Sequence, residues 1–407
     1  MDNPWGSRGV VIIGGGVAGV TAAFELRKRG YRDAVTILEA GTFPHDRPPL
    51  TKGFLSGTLS DDDVSLYTPE AFAEEKIGLK THASVLTIDT HDLGVELRDG
   101  TRLDADFVVL ATGGLPRIPA VCEDSRESIH WVRTIEDARR LKRELQPGRR
   151  LLVIGGGLLG VELSYTAREL GLAVTIVEPV SRPLVHIVGD RLADWLHAHA
   201  DQAGIVQHEA EVLSITQIDG LFRAELSDGS VVECDVVVAA AGFEPNTRLA
   251  GQAGLNVRTG VVVDAGQRTS DERIFAVGDC AERHESGEVY RGGHWEAAKL
   301  DGERVACIIL GEAAKPHSLP WFWTDRGELH IDVIGQFADC EETLVRGQFG
   351  STSFSVIGLN NGRVAAAACV NDPKTARQLR KIIENNVDCT PDELRDTATD
   401  LRRILKR

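Results

Sequence analysis

Apolar residues in this chain fall into two kinds of run. The first kind is short and almost unbroken: "VVII" at 10–13, "FVVL" at 107–110, "LLVI" at 151–154, "VVVA" at 236–239 and "IFAV" at 274–277. Runs of this kind predict strands buried on both faces, as in a parallel sheet covered by helices. The second kind alternates with polar residues. "GVELRDGTRLDAD" and "FRAELSDGSVVECD" each carry an Asp-Gly turn, at 99–100 and 228–229, and predict hairpins. Residues 321–370 alternate in the same way and predict an antiparallel sheet. Helical periodicity marks 293–311, and two helices are expected after it: one opening at Asp372-Pro373, the other at the capping box "TPDE" (390–393).

One pattern occurs twice. "VVIIGGGVAGVTAAFELRKRGYRDAVTILEA" (10–40) resembles "RLLVIGGGLLGVELSYTARELGLAVTIVEP" (150–179). Each copy reads as a strand, a glycine turn, an amphipathic helix and a second strand ending in glutamate, which is a βαβ unit. The glycines stand at G-x-G-x-x-G in both: Gly14, Gly16 and Gly19, then Gly155, Gly157 and Gly160. Such a loop permits a tight turn, close backbone approach to a pyrophosphate and close packing of helix on strand. The helix N-terminus then presents N–H groups to phosphate. Glu39 and Glu178 follow the third glycine by 20 and 18 residues, the spacing of a carboxylate that receives ribose hydroxyls. Two such units imply two dinucleotides. Strands ending in small residues, at Ala111-Thr112-Gly113, Gly242 and Gly278-Asp279, let backbone come close to a ligand.

The expected fold class is therefore α/β: two Rossmann-like dinucleotide-binding domains followed by a C-terminal α+β domain. "LPRIPAV" (115–121) reads as a Pro-rich crossover, and "EAAKPHSLPWFWTD" (312–325) marks a second boundary.

Bulk properties narrow the chemistry. The 407 residues include 42% hydrophobic and 26% charged positions, as in an ordinary globular protein. A formal net charge of −16 argues against general nucleic-acid binding. No apolar run is long enough for a membrane span, and a cytoplasmic setting is expected. The seven cysteines (122, 234, 280, 307, 340, 369 and 389) show no C-x-x-C or zinc spacing and read as reduced thiols. Cys280 and Cys307 are expected to be packed in the core. His197 and His199 lie on different faces of a helix, so no metal site is expected. The acidic run Asp61–Asp63 reads as a solvated loop.

Taken in order, "VIIGGGVAG", "RPPLTKGFL", "VVLATGG", "VIGGGLLGVELSYTAREL", "AAGFEPNT", "IFAVGDCAE", "HWEAA" and "PWFWTD" resemble the FAD-containing, NADH-dependent ferredoxin reductases of bacterial oxygenase systems. The resemblance spans essentially the whole chain. "RPPL-x-K" and "PWFW-x-D" are specific to that branch; the glycine motifs and "GD" belong to a wider superfamily. It implies an FAD domain in two pieces (1–117 and 244–318), an NAD domain between them (118–243) and a C-terminal domain (319–407). FAD-binding positions are then Gly14, Gly16, Gly19, Glu39, Arg47, Lys52, Ala111, Thr112, Gly113, Gly278, Asp279 and Trp295. NAD-binding positions are Gly155, Gly157, Gly160, Glu162, Glu178 and Gly242. Lys52, Glu162, Trp295 and Trp323 are the candidate catalytic residues, placed near the flavin or the nicotinamide. Gly293 departs from the family, which often has a glutamate two residues before the tryptophan of "HWEAA".

The stretch "DRPPLTKGFL" (46–55) carries no cysteine, unlike disulfide- or peroxide-reducing relatives. Electrons are therefore expected to leave the flavin for an external one-electron acceptor: a [2Fe-2S] ferredoxin, serving a P450 or a Rieske-type oxygenase. A flavoprotein acting directly on a small molecule stays open as an alternative. The chain could work as a monomer or a dimer. A basic patch for an acidic ferredoxin is expected from Arg377, Arg380, Lys381, Arg402, Arg403 and Lys406. At about 4 Å and an effective dielectric of about 20, Glu178 repels a 2′-phosphate by up to ~4 kcal/mol. NADH is therefore expected to be preferred over NADPH, although Arg182 tempers this.

Overall fold

The computed structural model describes residues 8–285, 288–317 and 319–406. The continuous apolar runs pair in parallel as expected. One sheet has the order Ile274–Ala276, Phe107–Leu110, Val10–Ile13, Val35–Leu38, Gly78–Lys80. A second has the order Ile205–Glu209, Ala173–Glu178, Arg150–Ile154, Val236–Ala239. In each, the strand leading into the glycine motif lies between its βαβ partner and the strand that ends in small residues. Both loops thus open at the carboxyl end of a parallel sheet, where ligands of such folds bind.

The two hairpins form three-stranded antiparallel pieces over Val85–Asp104 and Val212–Cys234. Gly114–Pro116 pairs antiparallel with Phe243–Pro245, so the chain leaves and re-enters the first sheet's region side by side.

Five antiparallel strands make the C-terminal sheet, in the order Trp321–Arg326, Leu329–Gly335, Arg363–Val370, Phe354–Asn360, Glu342–Arg346. One face is covered by the helix Pro373–Glu384, whose Leu379 and Ile382 are buried with Ile357 and Leu344. The other face packs Val333, Phe354 and Val356 on Leu184, Val188, Leu192 and Leu196 from beside the second sheet. Full burial of such side chains is worth roughly 1.5–3 kcal/mol each. This contact fixes the strand Trp321–Arg326 against the helix Leu158–Glu169. The capping box at Thr390 and Glu393 forms as expected, and a further short helix, Leu401–Ile404, follows it.

One expectation needs correction. The helix of the second repeat is not amphipathic. In Leu158–Glu169 every residue from Gly160 to Ala167 is buried. The reason is a third layer: the turn Pro48–Thr51 and the strand Trp321–Arg326 cover the side that would otherwise face water.

Candidate active site

The two glycine loops are built alike. Gly14 and Gly155 have φ of +114° and +116°, and an added Cβ would run into the carbonyl oxygens of Ala111 and Ala240. At Gly19 and Gly160 a Cβ would strike the Gly14 and Gly155 carbonyls. The middle glycines differ: Gly16 has only Arg47 within 4 Å, and Gly157 has nothing. Backbone can therefore be approached there by a phosphate. Glu39 accepts the Gly15 N–H at 2.7 Å, and Glu178 accepts that of Gly156 at 2.8 Å. Each carboxylate keeps lone pairs for ribose hydroxyls.

Two cavities meet at the first loop, sharing Gly16, Arg47, Ala111 and Arg133. The larger, about 770 Å³, runs past Glu39, Thr112 and Asn246. The smaller, about 210 Å³, is lined by Lys52, Glu162, Asp279, His294, Trp295 and Trp323 among others. All four candidate catalytic residues therefore line one space, although they come from four separate stretches of chain.

Each is held by a named contact. Pro48 and Pro49 open a short 3-10 turn that ends on Lys52. Its ammonium lies 2.6 Å from Asp325 Oδ2 and 3.3 Å from Glu162 Oε1. Glu162 also accepts from the hydroxyls of Thr51 (3.2 Å) and Thr324 (2.8 Å) and from the Asp325 N–H (3.2 Å). Burial pushes the Glu162 carboxyl above its ordinary value, while Lys52 and Thr324 act against this. Trp295 donates its indole N–H to Asp46 at 2.7 Å and stands edge-to-face with Trp323 at 6.0 Å. Trp321 continues the series 5.6 Å beyond Trp323.

Behind Lys52 the network goes on. Asp325 binds Lys52 through one oxygen and His330 Nδ1 through the other, at 2.6 Å. Burial alone would raise the Asp325 carboxyl, but His330 and Lys52 hold it below its ordinary value. Asp325 and Asp332 together push His330 up to about 9. At the opposite wall, Asp279 accepts from Arg133 at 2.6 Å and lies 3.8 Å from Arg47. Burial, then repulsion from Arg133, brings the Arg47 guanidinium down to about 10. Both arginines border the space in front of Gly113, so a pyrophosphate there would find two cations.

Sequence reasoning did not single out Asp46, Arg133 or His330 for this site, and Asp325 entered only within a quoted motif. Gly293 does line the cavity. In place of a carboxylate, the neighbouring His294 ring stacks on Phe322 at 4.3 Å, and burial lowers its proton affinity.

No cysteine lines either cavity. Cys280, beside Asp279, is fully buried with its thiol on the Leu110 and Val277 carbonyls. Burial raises the thiols of Cys122, Cys234 and Cys369 to about 11, 12 and 12. Among the described residues no group of three or more His, Cys, Asp or Glu could hold a metal, and no helix is long and apolar enough to cross a membrane.

The cradle geometry fits two dinucleotides, and the family comparison agrees. Residues 8–302 match the model of the pyridine nucleotide-disulphide oxidoreductases, and 321–405 match that of the reductase C-terminal domain. This chain belongs to the pyridine nucleotide-disulphide oxidoreductase family.

Putidaredoxin reductase of Pseudomonas putida is 33% identical over 408 residues, covering 97% of this chain and 96% of that one. The ferredoxin–NAD(+) reductase subunit of a benzene 1,2-dioxygenase system, also from Pseudomonas putida, is 33% identical over 404 residues, covering 98% and 97%. The crystal structure of the covalent putidaredoxin reductase–putidaredoxin complex superposes with a TM-score of 0.92 at 32% identity, covering 98% of this chain and 99% of that one. The enzyme is thus an FAD-dependent oxidoreductase of the ferredoxin reductase type, with FAD and NAD(H) as cofactors.

Proposed function

We propose that this enzyme passes electrons from NADH through FAD to a small [2Fe-2S] ferredoxin that serves a P450 or Rieske-type oxygenase. The observation that carries the reading is the cavity: Lys52, Glu162, Trp295 and Trp323 line it together, and none of its lining residues is a cysteine that could relay a pair of electrons. The relatives' names support the same acceptor, since they include a putidaredoxin reductase and the ferredoxin–NAD(+) reductase subunit of a benzene 1,2-dioxygenase system. When bound, FAD would supply the hydride acceptance and one-electron donation, while the residues of the cavity would bind, orient and tune it.

The division of the chain proposed from sequence, with FAD segments 1–117 and 244–318 around an NAD segment 118–243, assigns the two cavities at Gly14–Gly19 to FAD and the loop at Gly155–Gly160 to NADH. Arg47 and Arg133 then take the pyrophosphate of FAD, with Asp279 beside them. Lys52 holds a positive charge at the flavin end, fixed there by Asp325. Glu162 anchors Lys52 and borders the nicotinamide position. Trp295 and Trp323 form the aromatic wall. Glu178 faces the adenosine half of NADH, and Gly242 borders the same dinucleotide from the other side of the glycine loop's strand. Arg182, the arginine that could welcome a 2′-phosphate beside Glu178, already pairs with Asp190 at 2.9 Å and Asp194 at 2.8 Å, which supports NADH over NADPH.

The test is anaerobic. NADH is mixed with the FAD-loaded enzyme while the flavin absorbance is followed, and oxidised [2Fe-2S] ferredoxin is added afterwards. The band is expected to bleach and then return as the ferredoxin reduces. A flavin that bleaches but stays bleached with several ferredoxins moves the acceptor to a small molecule.

A further inference from the structure

Asp301 is a buried carboxylate that neither the glycine motifs nor the catalytic residues account for. It lies on the helix Trp295–Ile309, less than one turn beyond Ala298 of the cavity wall, and is only 9% exposed. It reaches the cavity through backbone. Its Oδ2 accepts the Gly278 N–H at 3.1 Å, and its Oδ1 accepts the Gln267 amide at 2.7 Å. Gly278 opens the turn Gly278–Cys280, which carries Asp279 into the cavity wall beside Arg133 and Arg47.

The strand before the turn is held by the Val277 N–H on the Leu110 carbonyl at 2.9 Å and the end of the turn by the Cys280 thiol, while the Gly278 N–H goes to Asp301. Gly278 sits at φ +68°, and a Cβ there would press on Ala18 and Ala298 from two different helices. Those helices approach so closely that a Cβ at Gly302 would meet the Ala18 carbonyl. Asp301, the residue before Gly302, is therefore delivered to the turn by the same contact that seats the first glycine motif's helix. Glycine adopts this left-handed conformation without strain, so what the surroundings fix is where the turn sits and which way it presents Asp279.

We infer that Asp301 is a positioning residue for the flavin dinucleotide: by accepting the Gly278 N–H it fixes the turn that presents Asp279. The inference rests on the assignment of this cavity to FAD. It also explains the polar partner. Gln267 Oε1 is buried without a hydrogen bond, so the amide can reverse and accept from a donor at position 301. An asparagine at 301 could then accept from Gly278 with its oxygen and donate to Gln267 with its nitrogen. An alanine could do neither.

The experiment measures the dissociation constant of FAD for deflavinated protein, by flavin fluorescence, in four forms: native, Asp301→Ala, Asp301→Asn and Asp279→Ala. Far-UV circular dichroism of each apoprotein checks folding. Asp301→Ala is expected to weaken FAD at least ~10-fold, and Asp301→Asn by less than ~3-fold, since asparagine keeps the hydrogen bonds to Gly278 and Gln267. Rescue by asparagine separates an acceptor role from the charge. If Asp301→Ala binds FAD as native while Asp279→Ala is weakened, the role of Asp301 is wrong and the cavity assignment stands. If Asp301→Asn falls as far as Asp301→Ala, the carboxylate acts by its charge and the proposed positioning through Gly278 is overturned. If Asp279→Ala also binds as native, the cavity assignment itself fails. Should Asp301→Ala not fold, the asparagine variant decides alone, and a loss of ~10-fold or more there contradicts the proposal.

Discussion

The ammonium of Lys52 lies 2.6 Å from a carboxylate oxygen of Asp325, across 273 residues of sequence. One motif near the start of the chain and one at the start of the C-terminal sheet are thereby joined at the cavity. The joint does more than bind two charges, because Lys52 also touches Glu162. Removing the lysine leaves two carboxylates facing each other without their cation. Lys52→Gln is expected to slow reduction of bound flavin by NADH at least ~10-fold, or ~1.4 kcal/mol in the barrier. Single-turnover absorbance measures this. A native rate in that variant would remove Lys52 from the chemistry.

His330 gives the network a pH signature. Its proton is held in the folded state up to about pH 9, against an ordinary value of 6.5. The folded pKa is raised, so the stability it contributes is complete below about pH 6.5 and is lost as pH rises through 9. The ring is 43% exposed, and solvent screening holds the contribution to about 1 kcal/mol. Urea unfolding at pH 6.5 and 9.5 should show the native enzyme losing more than His330→Gln over that interval. Equal losses would mean His330 holds no extra proton.

Cofactor choice should follow Glu178 and the company of Arg182. NADH is expected to exceed NADPH in kcat/KM by roughly thirtyfold, half of the full repulsion at that carboxylate. The double variant Asp190→Asn, Asp194→Asn frees Arg182 and should narrow the ratio by about threefold or more, each surface pair being worth under ~1 kcal/mol. An NADPH efficiency equal to that for NADH in the native enzyme sinks the account of Glu178.

Thiols should not matter to turnover. Cys122, Cys234, Cys280, Cys307 and Cys369 are buried, and Cys340 and Cys389 are half-buried. A thiolate is the reactive form, and burial suppresses it. Alkylation of the native enzyme with iodoacetamide is expected to leave flavin reduction and ferredoxin reduction unchanged. Loss of the second with the first intact would point to a redox cysteine.

Much of this fold was legible because its strands are buried on both faces and its loops require glycine for steric reasons. Both properties are local and leave marks in sequence. The site was legible only in part. Lys52, Glu162, Trp295 and Trp323 came from motif likeness, and they do line one cavity. Their partners did not emerge, because Asp46 meets Trp295 across 249 residues and Arg133 meets Asp279 across 146. Nothing in a local pattern encodes such a pairing. The same limit explains two corrections. The second repeat's helix looked amphipathic because the layer covering it comes from elsewhere in the chain. Arg380 looked like part of a basic patch, yet its guanidinium is taken by Glu296 at 3.0 Å and Glu384 at 2.8 Å, and it lies over Trp321. Arg402 likewise pairs with Asp400. Exposed Arg377, Lys381, Arg403 and Lys406 are what the patch retains.

The most direct test of the central claim is a count. Under anaerobic conditions, a limiting amount of NADH is added to catalytic enzyme with excess oxidised [2Fe-2S] ferredoxin, and reduced ferredoxin is measured at the end. The account expects two ferredoxins reduced per NADH, with the same yield from thiol-alkylated enzyme. NADH consumed with no ferredoxin reduced, or a yield that disappears on alkylation, would contradict it.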